Sequence, residues 1–283
     1  VYMEAQESAG KKDGSQIKIA MRILKDYAGE MVTLDQIDGD FCRGYITYLL
    51  TEYHPKGKDI SNYTLHNYYR ALNGALNSAV RKKKMKANPF NELEKSEKIR
   101  KPESMRSYMT IEEVQALIDT PMPHEEYEIV KCAYLFSCFC GLRISDIIKL
   151  KWNDVFVDRG QYRLAVSMKK TKEPIYLPLS PEALKWMPER GGKSSEDNVF
   201  DLPSANTIRM QLKPWAKAAG ISKRFSYHTS RHTFATMMLT LGADLYTVSK
   251  LLGHADVKMT QVYAKIINKK KDEAVNLVNG LFH

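Results

Sequence analysis

The sequence predicts a mainly α-helical protein with one small β-meander, an α+β fold. Apolar residues recur at helical spacing over most of the chain. The exception is the segment 155–179, where short runs rich in Val, Ile and Tyr are separated by turns, as in an antiparallel meander. Hydrophobic residues make up 43% of the chain and charged residues 27%, which is typical of a globular rather than a disordered protein.

The chain is predicted to contain two globular domains. Residues 15–91 are predicted to be helical throughout, and residues 108–266 to mix helices with the meander. Residues 92–107 are polar, lack an apolar period and are predicted to be a linker. Residues 1–14, which begin with Val rather than Met, are interpreted as disordered or vector-derived. The tail at 267–283 has a short helical pattern, which either packs on its own domain or docks onto a neighbouring protomer.

The first domain carries amphipathic helical patterns and ends in a basic run. Asp40 and Ser61 are the expected N-caps of its second and third helices. The third helix is predicted to run into these cations, which complement its dipole, and to stop at Asn88-Pro89. The cations either form a solvated face or contact a DNA backbone. We call these residues the basic run: Arg81, Lys82, Lys83, Lys84 and Lys86. The net charge of +10 also indicates a polyanionic partner.

The second domain opens with a capping box formed by Thr110 and Glu113. An apolar helix over 126–140 is expected to end at Gly141. Pro214 is expected to kink or restart the helix in which it lies. Further helices are predicted at 229–241, 245–252 and 257–266.

Composition excludes several classes of protein. No run of about 18 apolar residues is present, so a membrane span is not expected. The N-terminus lacks the apolar stretch of a signal peptide. The four cysteines have neither metal-ligand spacing nor a disulfide framework, so they are expected to fill core space in a reducing cytosol. We therefore predict no metal, no cofactor and a cytoplasmic, nucleoid-associated protein.

Polar side chains interrupt the apolar patterns of the second domain. Arg143 and Asp146 are three residues apart at a turn into a helix, and His228 and Arg231 have the same spacing at a helix start. Taken singly, the first pair is an ordinary ion pair, and the second is a pair of polar side chains that happen to lie at a helix N-terminus. The other members of the set are Lys170 in the meander, His254 and Tyr263.

Together these residue types suit chemistry at a phosphodiester. Two guanidinium groups can neutralise both non-bridging oxygens of one phosphate. A tyrosine hydroxyl can attack phosphorus, a histidine can accept its proton, and a lysine can protonate the departing oxygen. Guanidinium charge can supply the electrostatic stabilisation without a metal.

The motifs resemble those of the tyrosine recombinase (phage integrase) family. They are GLRISD around Arg143, HTSRHTFA at 228–235, LLGH at 251–254 and the downstream Tyr263. Their order is that of the family, as are the intervals of 23 residues from the second arginine to the last histidine and nine from there to the tyrosine. The first domain resembles the family's core-binding domain only in length, helicity and position.

The resemblance implies a site-specific DNA recombinase or integrase, here for a mobile element. Residues 15–91 would be the core-DNA-binding domain and residues 108–266 the catalytic domain. The enzyme would cut double-stranded DNA through a 3′-phosphotyrosyl intermediate on Tyr263 and rejoin it. It would assemble on DNA as a dimer or tetramer, with accessory DNA-bending proteins as further candidate partners.

The resemblance also implies the remaining roles. Arg143 and Arg231 clamp the phosphate, and Asp146 orients Arg143. His228 accepts a proton or a hydrogen bond, and His254 donates a hydrogen bond to the phosphate.

One catalytic position stays open within the resemblance. Lys170 is the preferred general acid, with Lys169 and Lys172 as rivals in the same turn. His232 is interpreted as structural. Two other functions remain: a type IB topoisomerase-like nicking and resealing enzyme, and a non-catalytic sequence-specific DNA-binding protein. The DNA site, and a phage, conjugative or chromosomal role, are left open.

Overall fold

The computed structural model describes residues 14–102, 106–167 and 174–264. Within these residues the chain forms α-helices and one three-stranded sheet, which confirms the predicted fold class. The chain divides into two compact units, Val1–Ser104 and Met105–His283.

The first unit contains three α-helices among its described residues. Helix α1 (Gly14–Ala28) packs on α3 (Asn62–Arg81), and α2 (Gly39–Thr51) contacts both. The predicted cap of α3 is confirmed, because the Ser61 hydroxyl accepts a hydrogen bond from the backbone N–H of Thr64. The apolar stripes of the helices meet in one core, whose fully buried members include Ile23, Tyr45 and Leu49.

Two helix ends differ from the predictions. Asp38, not Asp40, caps α2, because its carboxylate accepts a hydrogen bond of 2.8 Å from the backbone N–H of Phe41. Asp40 already lies inside the first turn. Helix α3 ends at Arg81, so the lysines of the basic run lie in the turn after it.

Part of the predicted linker packs on the first unit. Leu93 and Ile99 are buried in its core, and the carbonyl oxygen of Ile99 lies 2.9 Å from Nδ1 of His66. The sequence predicted a solvent-exposed linker here because Leu93 and Ile99, six residues apart, do not form a helical or strand pattern of apolar residues. The predicted domain boundaries stay a prediction.

The helices of the second unit pack around one large core and one smaller apolar cluster. The capping box at Thr110 is present as predicted. Pro214 lies inside an unbroken helix, so the predicted restart there is wrong. Leu212 and Trp215 on either side are buried, and this packing outweighs the one backbone bond that a proline cannot make. The helices are α4 (Ile111–Asp119), α5 (Glu128–Cys140), α6 (Ile144–Ile147), α7 (Pro181–Leu184), α8 (Ala205–Ala218), α9 (Tyr227–Thr240), α10 (Leu245–Leu251) and α11 (Lys258–Ala264).

The predicted meander is confirmed. Strands β1 (Val155–Asp158), β2 (Gln161–Ser167) and β3 (Pro174–Pro178) pair antiparallel in the order β1-β2-β3. Leu164 of β2 is buried and lies opposite Leu177 of β3. The turn between β2 and β3, with the predicted general acid and its two rivals, lies outside the described residues.

Helices α5 and α9 pack against each other at the centre of the second unit. Nine of the 13 residues of α5 and 11 of the 14 residues of α9 are buried. Many of the buried side chains on α9 are polar. Because buried polar groups need hydrogen-bond partners, those of α9 must find theirs inside the protein.

Candidate active site

Arg231 is anchored at the centre of the site by two backbone carbonyls. It is 3% exposed, and its Nη1 donates to the carbonyl oxygen of Gly141 at 2.7 Å. Its Nη2 donates to the carbonyl oxygen of Leu252 at 2.5 Å. These bonds tie α9 to the ends of α5 and α10 and fix the orientation of the guanidinium plane. A guanidinium has five N–H donors, so donors remain for an oxyanion.

Gly141 makes this anchoring possible. It ends α5 with a φ of 75°, which favours glycine. A Cβ atom on it would lie 2.6 Å from Cδ1 of Phe234 on α9, closer than such atoms approach. The absence of a side chain therefore lets the end of α5 lie close to α9 and present its carbonyl to Arg231.

Arg143 lies just beyond, at the N-terminus of α6. Its backbone N–H donates to Asp146 Oδ2 at 3.3 Å, and its Nη1 lies 4.0 Å from the same oxygen. Burial is the largest cause that lowers the pKa of Arg231, and the nearby charge of Arg143 is the second; together they lower it to about 10. Arg231 stays protonated at neutral pH.

His254 is held by α11. Its Nδ1 lies 2.7 Å from the hydroxyl oxygen of Thr260, which is fully buried. This contact occupies one ring nitrogen and leaves Nε2 for another partner. Burial, then the charges of Arg231 and Arg143, lower the pKa of His254 to about 4, so the ring is neutral at pH 7.

Tyr263 is buried beside two histidines of α9. It is 1% exposed, and its hydroxyl oxygen lies 2.7 Å from Nδ1 of His232. The ring of His228 meets that of His232 edge to face, with centroids 4.6 Å apart. Burial is the largest cause of the lowered pKa of both histidines. Burial also raises the pKa of Tyr263.

Arg106 is a further cation at this site. Its charge, with those of Arg231 and Arg143, opposes the rise that burial causes in the pKa of the Tyr263 phenol. The same charge contributes to the lowered pKa values of His228, His232 and His254. The site is therefore strongly positive and suited to an anion.

The structure thus brings five predicted residues together. They are Arg143, His228, Arg231, His254 and Tyr263, with Asp146 beside the first. Lys170 is the one predicted catalytic residue outside the described part of the chain.

Comparison with known proteins identifies the family. Residues 107–270 match the phage integrase family, and residues 1–101 match the phage integrase SAM-like domain. The chain belongs to the phage integrase family. This confirms the predicted tyrosine recombinase family and the predicted enzyme class, which cuts and rejoins DNA strands.

Two relatives and one solved structure illustrate what the chain is similar to. The tyrosine recombinase of Pseudothermotoga lettingae is 29% identical over 242 residues, which span 77% of this chain and 82% of that protein. Tyrosine recombinase XerD of Vibrio vulnificus is 32% identical over 184 residues, 60% of this chain and 59% of that protein, so the match spans less than two thirds of it. The structure of the XerH site-specific recombinase covers 97% of this chain and 82% of its own at a TM-score of 0.74 and 18% identity, and so shares the fold.

The sequence reasoning missed three residues of this phage integrase site. Arg106 lies in the predicted linker, where no motif marked it. His232 was interpreted as structural, yet it contacts the phenol oxygen of Tyr263. Thr260 gave one usable signal, because it precedes Tyr263 by three residues on a predicted helix and so shares a face with it.

The basic run lies in the first unit and is exposed at all five cations. Lys83 adopts a left-handed conformation with a φ of 55°, so the backbone turns sharply after α3. Three lysines of the run line a hollow of about 370 Å³ together with two apolar side chains; the lining residues are Val80, Lys83, Lys84, Met85 and Lys86. A DNA contact by these residues stays a prediction.

The described residues form neither a metal-binding cluster nor a membrane-spanning helix. Across residues 14–102, 106–167 and 174–264 no group of three or more His, Cys, Asp or Glu side chains could hold a metal ion. Cys42, Cys138 and Cys140 are buried and Cys132 is half-buried. No helix in the described part of the chain has the length and apolar character to cross a membrane.

Proposed function

We propose that this phage integrase family member is a site-specific recombinase that cuts and rejoins double-stranded DNA through a phosphotyrosyl link to Tyr263. One observation carries the proposal: the buried phenol of Tyr263 lies among the arginines and histidines that would bind a phosphate. Its surroundings are cationic, so a DNA phosphate can replace water there at a small electrostatic cost.

Substrate binding is assigned to the two arginines. Arg231 is held by carbonyls at 2.7 and 2.5 Å before any substrate arrives, so its free N–H groups are preorganised for one non-bridging oxygen. Arg143 is assigned the other non-bridging oxygen, with Asp146 holding the start of α6 in place. His254, whose Nδ1 is engaged by Thr260, would offer Nε2 to the same phosphate.

Cleavage is a transfer of the phosphoryl group. The oxygen of Tyr263 bonds to phosphorus, and the bond from phosphorus to the 5′-oxygen breaks. The leaving oxygen takes a proton from Lys170, and the phenol proton goes to a histidine, for which the sequence proposed His228. Rejoining reverses each step.

The wider setting is part of the proposal. The XerH structure is described as a site-specific recombinase bound to a palindromic difH substrate after cleavage, which supports DNA as the partner of this chain too. We include self-assembly as a dimer or tetramer on DNA, a mobile-element role with accessory DNA-bending proteins, and action on nucleoid DNA in the cytoplasm. The basic run supports the DNA assignment, because exposed lysines in a turn can follow a phosphate backbone.

The decisive experiment traps the covalent intermediate. The protein is incubated with a pool of randomised, nicked duplexes from which the cleaved fragment diffuses away, and DNA-linked protein is resolved under denaturing conditions. We expect an adduct with the parent and with Tyr246→Phe, a control at an exposed tyrosine, and none with Tyr263→Phe. An adduct that persists in Tyr263→Phe places the nucleophile elsewhere. DNA binding without any adduct favours the non-catalytic DNA-binding protein.

A second assay separates recombination from nicking and resealing. Two duplexes carrying the trapped site but different flanks are incubated with the parent protein. Exchanged flanks support a recombinase. Relaxation of supercoiled DNA without exchange supports the topoisomerase-like alternative.

A further inference from the structure

The proton on Tyr263 has a nearer acceptor than the histidine of the proposed mechanism. The phenol oxygen lies 2.7 Å from Nδ1 of His232, within hydrogen-bond distance. The two rings are 5.5 Å apart between centroids and tilted by 46°. Both side chains are buried. His228 reaches this pair through its edge-to-face contact with His232.

The direction of the hydrogen bond follows from the neighbouring groups. Burial, then His228, Arg106, Arg231 and His254, lower the pKa of His232 to about 3, so its ring is neutral at pH 7. A neutral imidazole has one N–H donor and one acceptor nitrogen. The charges of Arg106 and Arg231 favour negative charge on the phenol oxygen, and so favour the phenol as the donor of this hydrogen bond. The phenol proton is then directed to Nδ1 of His232, which leaves the ring proton of His232 on Nε2.

We propose that His232 accepts the proton of Tyr263 as its oxygen attacks phosphorus, while the positive charge of Arg106 stabilises that oxygen. This rests on the proposed function. The O–H bond of Tyr263 breaks and an N–H bond forms at Nδ1 of His232, while the 5′-oxygen leaves with a proton from the general acid. On rejoining, the imidazolium returns its proton to the phenol. A base in contact with the nucleophile and a cation beside it is the usual arrangement of an activated hydroxyl.

Substrate binding favours this transfer. In the free protein, nearby cations oppose a charged imidazole. A bound phosphate adds negative charge to the site and so favours the imidazolium. His232 thus becomes a better base once DNA is present. His228, which faces His232, is then left to hydrogen-bond the phosphate or to orient the ring of His232.

The first test compares single-turnover cleavage rates on a trapped duplex. In His232→Asn, an amide oxygen can still accept the hydrogen bond but cannot take the proton. We expect cleavage at pH 7 to fall at least about 100-fold, and the deficit to shrink as the pH rises, because solvent base then ionises the phenol. His232→Ala should regain activity with added imidazole. His124→Gln, at an exposed position, should behave as the parent.

His228→Asn is the matched comparison. We expect a smaller loss, the parent's pH profile and no rescue of His228→Ala by imidazole. If His232→Asn cleaves at the parent rate, His232 is not the acceptor. If it cleaves faster, the contact holds the phenol in a resting position, and the proposal is equally overturned. A parent that forms no adduct contradicts the proposed function instead.

A second measurement can be made on the parent protein, so its main result does not depend on how the His232 variants fold. Nitrogen chemical shifts of ¹⁵N-histidine-labelled protein report which ring nitrogen carries the proton. We expect His232 to carry it on Nε2, with an Nδ1 shift that changes in Tyr263→Phe. A proton on Nδ1 would make the phenol the acceptor and would rule out the transfer.

Discussion

The two cationic regions of this protein differ in how their charges are held. On α9, Arg231 is 3% exposed and bonded to the carbonyls of Gly141 and Leu252. In the basic run, Lys82, Lys83 and Lys84 lie exposed in a turn. The first arrangement fixes the position of the charge before substrate binds. The second leaves each ammonium free to move with its solvent shell.

The two cationic regions therefore suit different tasks. A fixed charge in a buried site stabilises one geometry of developing charge and so can serve catalysis. A mobile surface charge neutralises phosphates wherever they lie and so serves affinity. We therefore expect substitutions at the buried site to change the cleavage rate, and those in the basic run to change binding.

The largest effect on cleavage is expected at Arg231. Arg231→Lys keeps the charge but cannot donate to both carbonyls and a phosphate in one plane. We expect single-turnover cleavage to fall by about 100- to 1,000-fold, and stability to fall by about 1–3 kcal/mol because one buried carbonyl loses its donor. Rates on a trapped duplex and thermal melting check this. The matched control is Arg190→Lys at an exposed position. Equal rates for both variants would show that a fixed guanidinium is not needed.

A smaller effect is expected at Thr260, which acts through His254. Thr260→Val keeps the shape of the side chain but removes the hydroxyl 2.7 Å from Nδ1. We expect cleavage to slow by up to about tenfold, the equivalent of one hydrogen bond. In a His254→Gln background the same change should have no further effect. Losses that multiply would mean that Thr260 acts independently of His254.

The control for Thr260 is Thr120. Its hydroxyl donates to the backbone carbonyl of Ala116. Thr120→Val therefore removes a half-buried hydrogen bond without touching the site. We expect a small loss of stability and the parent's cleavage rate.

Local patterns predicted the elements of the fold well. The capping box at Thr110, the end of α5 at Gly141 and the meander each depend on neighbours in the sequence, and each is present. Pro214 did not restart its helix, because the cost of a proline is local, whereas the burial of Trp215 that offsets this cost depends on tertiary packing. Asp40 failed as a cap by a shift of two residues, which apolar spacing does not resolve.

In the candidate site, too, some residues could be predicted from local sequence and others could not. Motif order brought Arg231, His254 and Tyr263 into the prediction through the family resemblance. Arg106 and the contact of Tyr263 with His232 depend on how distant segments meet in space, and no periodicity encodes that. Sequence alone supplied the residue types, and the packing of α9 against α11 supplied the pairing.

Substitutions in the basic run are expected to change DNA binding rather than cleavage. Replacing Lys82, Lys83 and Lys84 together by Gln should weaken DNA binding on all sequences alike. The plot of log affinity against log salt has a negative slope, and its magnitude should decrease by about 0.9 for each lysine that contacts a phosphate. Cleavage at saturating DNA should keep the parent's rate. Binding titrations at several salt concentrations measure the slope.

A matched triple separates position from charge. Lys25, Lys58 and Lys95 are also exposed lysines of the first unit. Their replacement by Gln changes the net charge by the same amount. If both triples lower the slope equally, the basic run has no special place on DNA and acts only through overall charge.

The smallest effect expected is a pH dependence of stability that comes from the buried site. The pKa values of His232 and His254 are lowered to about 3 and about 4 in the folded protein, from 6.5. Between pH 6.5 and 4 the unfolded chain therefore binds more protons than the folded one, and the free energy of unfolding falls as the pH falls. Melting temperatures measured from pH 7.5 to 4.5 should decrease over that window. His254→Gln should make the decrease shallower, whereas His124→Gln at an exposed position should not. An unchanged slope in His254→Gln would mean that its ring carries little of the electrostatic cost, and that the buried site differs from the basic run in geometry more than in charge.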